Sequence, residues 1–207
     1  VAASWALLAI EAALLTFAEG GILVDSKPPE LIGTRVTVVR SGQTVSTGDG
    51  RAELLFGRTD FIRLGPESRL DLGSMRLHGT ALFDFSSPAP IELVCGETTV
   101  QFPRPGMYRV DCRPPAPGML TVARGTAVAV IGSERIRTSA GRTLTMRRGE
   151  KAVKPRHRGP DEMDVWNADR ADLAVRFRRS RRALVTPSDA VLTDPSDIDR
   201  ALYGPRQ

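Results

Sequence analysis

The 207 residues amount to 22.4 kDa, enough for one domain with a tail, with room to bury a core. Hydrophobic residues at 41% and charged residues at 26% exclude wholesale disorder. No apolar run approaches the roughly 18 residues that a transmembrane helix needs. The net charge of +5 is uneven: Arg147 to Arg182 carries a net of +6 and the rest sums to −1. A nucleic-acid footprint covers a face of a fold and comes with stacking aromatics, so nucleic-acid binding is not expected from a neutral body with 5% aromatics.

The chain opens on Val1–Ile10, apolar and rich in small residues, followed by Ala12-Ala13. This segment, residues 1–13, reads as the apolar stretch and processing site of a secretory signal, although it lacks a basic start and carries Glu11. The competing reading is a short helix buried against the domain.

From Leu14 to about Val153, short apolar-alternating runs are broken about every 8 to 12 residues by Gly, Pro, Asp or Ser. That spacing predicts an all-β, many-stranded sandwich or roll over residues 14–155. The expected strands are 14–18, 21–25, 35–40, 52–56, 60–64, 69–72, 75–77, 81–85, 91–95, 98–102, 107–112, 120–123, 127–131, 135–138, 143–146 and 151–153. No long helical pattern follows any of them, so βαβ units are not expected.

The pattern changes within residues 156–184. Asp161 is placed to cap a helix, Glu162 and Asp164 fall in its first turn, and arginines crowd its end, as the helix dipole favours. Met163, Trp166, Leu173 and Phe177 recur at helical spacing, which predicts one helix from Glu162 to Arg182. Residues 185–207, with four Asp and three Pro, show little periodicity and read as a poorly ordered tail.

Catalytic constellations are missing from the sequence. His78 and His157 stand 79 positions apart, without an HExxH or a third ligand. Neither a GxSxG elbow nor a glycine-rich phosphate loop occurs. Carboxylates such as Asp60 and Glu67 read as solvated edges and turn formers. No enzyme, metal or cofactor is expected. Arg176, Arg178, Arg179, Arg181 and Arg182 form the candidate patch for an anionic partner or membrane surface, against the plainer reading of a solvated helix end. Trp166 reads more readily as packing than as a ligand platform.

Cys95 and Cys112 are the only cysteines and the candidate disulfide. The strand pattern argues both ways. Strict alternation sets Cys95 on the face opposite Cys112, whereas a turn or bulge at Gly96-Glu97 resets the parity and brings the two together.

Four motifs then assemble in order. The segment Gly48–Leu72 (GDGRAELLFGRTDFIRLGPESRLDL) resembles the signature of FecR-like domains, with Phe61, Ile62, Arg63, Leu64, Gly65 and Ser68 as its second half. PGMYRVDC matches that family's "G-x-Y-R" strand through Tyr108, Arg109 and Asp111, and LTVARGTAVAV (Leu120–Val130) resembles its paired strands. DVWNADRADLA looks like its closing "W-x-x-x-R" helix through Trp166 and Arg170. The resemblance implies an extracytoplasmic all-β domain, periplasmic or otherwise in the bacterial envelope, that contacts other proteins. Only the domain carries over: the anti-sigma domain and membrane span of the family's named member have no counterpart in these residues, so sigma-factor control is not among the expectations. The expected partner is another envelope protein. A carbohydrate-binding module and an anionic-surface or nucleic-acid binder using Arg176–Arg182 remain the alternatives.

Overall fold

Alternating apolar residues make a strand with one buried face, and two such sheets close on each other when both faces need covering. The computed structural model describes residues 12–29, 37–56, 59–87, 89–155 and 160–184. Its first half holds β1 (Ala12–Glu19), β2 (Ile22–Val24), β3 (Thr37–Arg40), β4 (Thr44–Thr47), β5 (Arg51–Phe56), β6 (Asp60–Leu64) and β7 (Arg69–Asp71). A long strand, β8 (Arg76–Phe85), leads into β9 (Ala89–Cys95), β10 (Thr98–Phe102), β11 (Gly106–Cys112) and β12 (Met119–Arg124). Then come β13 (Thr126–Ile131), β14 (Glu134–Ser139), β15 (Arg142–Thr145) and the helix α1 (Glu162–Leu184).

One layer runs β15-β12-β11-β8-β6-β5-β1-β3, antiparallel throughout. The other runs β14-β13-β10-β9-β8-β7-β4-β2, with one short parallel contact where Arg76 meets Val94. The fold is all-β and many-stranded with a single helix among the described residues. β8 belongs to both layers: Arg76–His78 pairs with β7, and Gly79–Phe85 pairs with β11. Gly79 makes the corner at φ +96°, where a Cβ would overlap Ser68. The sequence pattern splits β8 into 75–77 and 81–85; the structure keeps it as one bent strand.

The hairpin that ends the sheets bends the same way. β12 and β13 face β15 and β14 in one long antiparallel run. It turns between layers at Gly125, whose φ is +92°. Between the layers Phe83, Phe85, Phe102 and Tyr108 form a ring cluster with centroids 4.9–6.1 Å apart.

Cys95 and Cys112 are disulfide-bonded, with Cα atoms 5.6 Å apart. Gly96-Glu97 is a two-residue hairpin turn that sets Cys95 opposite Thr98, and so on the inward face. Although they are consecutive in the chain, β10 and β11 do not pair with each other. β10 and β11 lie in opposite layers, and the bridge therefore spans the core.

Several local expectations change. β4 (Thr44–Thr47) escapes the sequence pattern because Val45 is its single large apolar residue. Lys151–Val153 forms only an isolated bridge, Val153 to Thr143. Asp60 is buried, not a solvated edge, and accepts hydrogen bonds from Ser86 N (2.7 Å) and Oγ (2.8 Å). β1 begins at Ala12 and buries Ala13, so the strand reaches back into the segment 1–13. Residues 1–11 of that segment and the tail 185–207 lie outside the described residues.

Candidate functional site

Strand alternation that turns the apolar residues of β5, β6, β8 and β11 inward turns Glu53, Arg63, Asp84 and Arg109 to the opposite face. Glu53 and Arg63 are direct cross-strand partners, and Leu82 follows Arg63 in the next ladder. Helix α1 lies over this face and makes a third layer. Its contact face is half apolar and half polar: Met163 and Trp166 are buried with Leu82, while Asn167 and Arg170 are buried among the charges.

Arg63 is 0% exposed. Its Nε donates to Glu53 Oε2 at 2.8 Å, its Nη1 donates to Asn167 Oδ1 at 2.9 Å, and Asp84 Oδ2 lies 3.7 Å from Nη1. Arg170 reaches down from the helix, Nε donating to Glu53 Oε2 at 3.2 Å and Nη2 to Oε1. Thr16 Oγ1 also donates to Glu53 Oε1, at 3.0 Å. The carboxylates of Glu53 and Asp84 thus face the guanidinium groups of Arg63 and Arg170, and the more exposed Arg124 reaches Asp84 Oδ1 at 3.5 Å. Burial opposes ionisation of Glu53, but hydrogen bonding from Arg170 and the charge of Arg63 outweigh it and hold the carboxyl below its ordinary range.

Trp166 caps the cluster. Phe17 lies 5.6 Å from its ring, Arg51 sits over it at 5.7 Å, and Arg170 stacks over Phe17 at 4.8 Å. Gly65 leaves room for Met163, whose Sδ is 3.3 Å from where a Cβ would stand.

A second set of charges holds the start of α1. Asp161 Oδ1 accepts from Asp164 N at 2.9 Å and Asp164 Oδ2 accepts from Asp161 N at 3.2 Å, a reciprocal cap. Arg109 bridges Asp111 (3.1 Å), Asp161 (2.8 Å) and Asp164 (3.0 Å). Its burial, which opposes the charge, is outweighed by these acids, and its pKa is raised. Asp161 is held below its ordinary range: burial raises it, while the Asp164 amide and Arg109 lower it further.

Arg63, Gly65, Arg109, Asp111, Trp166 and Arg170 therefore meet under or beside α1. Tyr108 does not: it points into the core, donating from its hydroxyl to Arg104 O at 2.6 Å. Arg176 is exposed on α1, and the side chains of Arg178, Arg179, Arg181 and Arg182 lie outside the described residues. Glu53, Asp84 and Asn167 carry half the network and were not singled out by the sequence; a lone Glu at an alternating strand position carries no periodic signal. Among the described residues no group of three His, Cys, Asp or Glu is arranged to hold a metal, and no helix is long and apolar enough to cross a membrane.

No family model and no curated protein match the chain. Two crystal structures of a "putative anti-sigma factor" from Parabacteroides distasonis are similar to it. One has a TM-score of 0.47 at 9% identity, covering 60% of this chain and 64% of that one. The other has a TM-score of 0.44 at 11% identity, covering 55% and 59%. The chain spans less than two thirds of either structure's length.

Proposed function

We propose that this chain is a FecR-like module of the bacterial envelope, exported and non-enzymatic, that works by contacting another envelope protein. One observation carries the reading. Arg63, Arg109, Trp166 and Arg170 come from three separate stretches that resemble FecR-like motifs, and they converge on one helix-docking junction. Residues that share a motif because they share a structural task are expected to meet in this way.

Other features support it. The buried Cys95–Cys112 bridge suits an oxidising compartment. Glu53 is neutralised by arginines, which leaves it poorly suited to general-base work. A carbohydrate module needs exposed rings, and among the side chains described none that is aromatic is exposed.

The test is fractionation of the native host, followed by crosslinking in whole cells and mass spectrometry of what the protein captures. Recovery in the envelope fraction with a defined envelope partner is expected. Recovery in the cytosol, or capture of background proteins alone, overturns the reading.

A further inference from the structure

Among the described residues the longest open strand edge is β14, six residues that pair with β13 alone. The hairpin at Gly132-Ser133 decides which of its backbone groups are spare. A two-residue turn makes Ile131 and Glu134 a bonded pair, so Glu134, Ile136 and Thr138 direct their ladder groups to β13. The amides and carbonyls of Arg135 and Arg137 therefore point outward. The edge contains no proline and no bulge, the usual devices that blunt an edge; its protection is charge.

That charge is concentrated. From Glu134 to Lys154 there are seven basic and two acidic residues, a net of +5 that equals the charge of the whole chain. All seven basic side chains are exposed. Arg135 lies across the sheet, its Nη2 donating to Gln101 Oε1 at 2.7 Å, and Arg137 makes no ion pair among the described residues.

The charges also exclude one occupant. In an antiparallel pair, outward-facing residues of one strand oppose outward-facing residues of the other. A second copy of β14 would therefore set arginine against arginine in every central register, and like charges directly opposed destabilise a ladder.

We propose that β14 is a docking edge for an extended segment of a partner protein carrying acidic residues at alternate positions. The segment adds one strand beyond β14, bonding to the backbone of Arg135 and Arg137 and setting carboxylates beside their guanidinium groups. Main-chain pairing supplies the fit, and the acidic alternation supplies the choice of partner. A nucleic acid or an anionic lipid surface meets the charge but has no ladder groups to offer. This rests on the reading of the chain as a protein-contact module.

The probe is a fluorescent peptide, Thr-Glu-Val-Glu-Val-Glu-Thr, titrated onto the folded, disulfide-intact protein. Peptide saturation should slow amide hydrogen exchange at Arg135 and Arg137 and leave Ile136 unchanged. N-methylation of alternate peptide amides, or Lys in place of Glu, should each weaken binding by about tenfold or more. Arg137→Pro removes an outward N–H without touching the β13 ladder and should weaken binding to the same degree. Should that variant not fold, the N-methylated peptide and Arg137→Glu carry the same test. No binding, binding indifferent to N-methylation, or equal retention of wild type and Arg137→Pro on phosphatidylglycerol vesicles or an oligonucleotide without peptide binding overturns the proposal. In the whole-cell crosslinking, loss of the partner with Arg137→Pro supports the edge. A partner captured equally by both proteins rejects the edge and leaves the module reading standing; no captured partner rejects both.

Discussion

Glu53 is the residue on which most of the buried charge depends. A buried ion pair adds little over an apolar replacement, yet removing one partner strands the other at high cost. Glu53→Ala removes the carboxylate that Arg63 and Arg170 share, leaving Asp84 at 3.7 Å as the acid beside Arg63, and should lower stability by about 3–5 kcal/mol in urea denaturation. The same residue gives a pH dependence. Its folded pKa is depressed below the ordinary value of 4.5, so its contribution is complete above that value and drains away as pH falls through the folded one. The denaturation midpoint of the wild type should fall as the pH drops below the ordinary carboxyl value of 4.5, and Glu53→Gln should flatten that fall. Half of this network was readable beforehand: Arg63 and Arg170 stand in motifs, whereas Glu53 and Asp84 become partners only when the β5–β6–β8 register puts them on one face.

The helix shows what a sequence pattern does and does not carry. Its start at Asp161–Glu162 was legible because capping chemistry is local. Its docking face was not. The stripe Met163, Trp166, Leu173 and Phe177 predicts an apolar seam, but the buried positions include Asn167 and Arg170, which a hydrophobic count assigns to water. Trp166 is the main apolar contact, 8% exposed against Phe17 and Leu82, so Trp166→Ala should cost about 3–5 kcal/mol, read from the denaturation midpoint. Asp161→Ala removes the cap and one of the three acids on Arg109, and should cost about 1 kcal/mol, with faster amide exchange confined to the first turn of α1. Strands rich in large apolar residues, such as β5 and β6, lie where the sequence pattern puts them, while the threonine- and serine-rich β4 depends on its neighbours for pairing.

At the scale of the molecule, strand positions were legible and layer assignment was not. Alternation says which residues face inward; it does not say that β8 and the β12–β13 strand change layers at Gly79 and Gly125. Those corners decide that Cys95 and Cys112 face each other across the core. Closing a loop of 17 residues restricts the unfolded chain, so Cys95→Ala with Cys112→Ala should lower stability by about 3 kcal/mol. Comparing the double variant with the oxidised protein in guanidinium measures it.

The strand ladders divide at β8. Every pairing among β1 to β7 stays within residues 12–71, and every pairing among β9 to β15 stays within 89–145; β8 alone is shared. A chain that emerges from its N-terminal end therefore completes the partners of its first half before the second half exists. In that interval β6 and β7 each wait with a bare edge, and β8 is the strand that covers both. The later half then grows outward from β8 as a template, and α1 arrives last to staple β5 and β6 of the early half to β11 of the late one. The nascent protein thus carries bare edges at β6 and β7 until β8 is made, and bare edges at β8 until β9 and β11 are made.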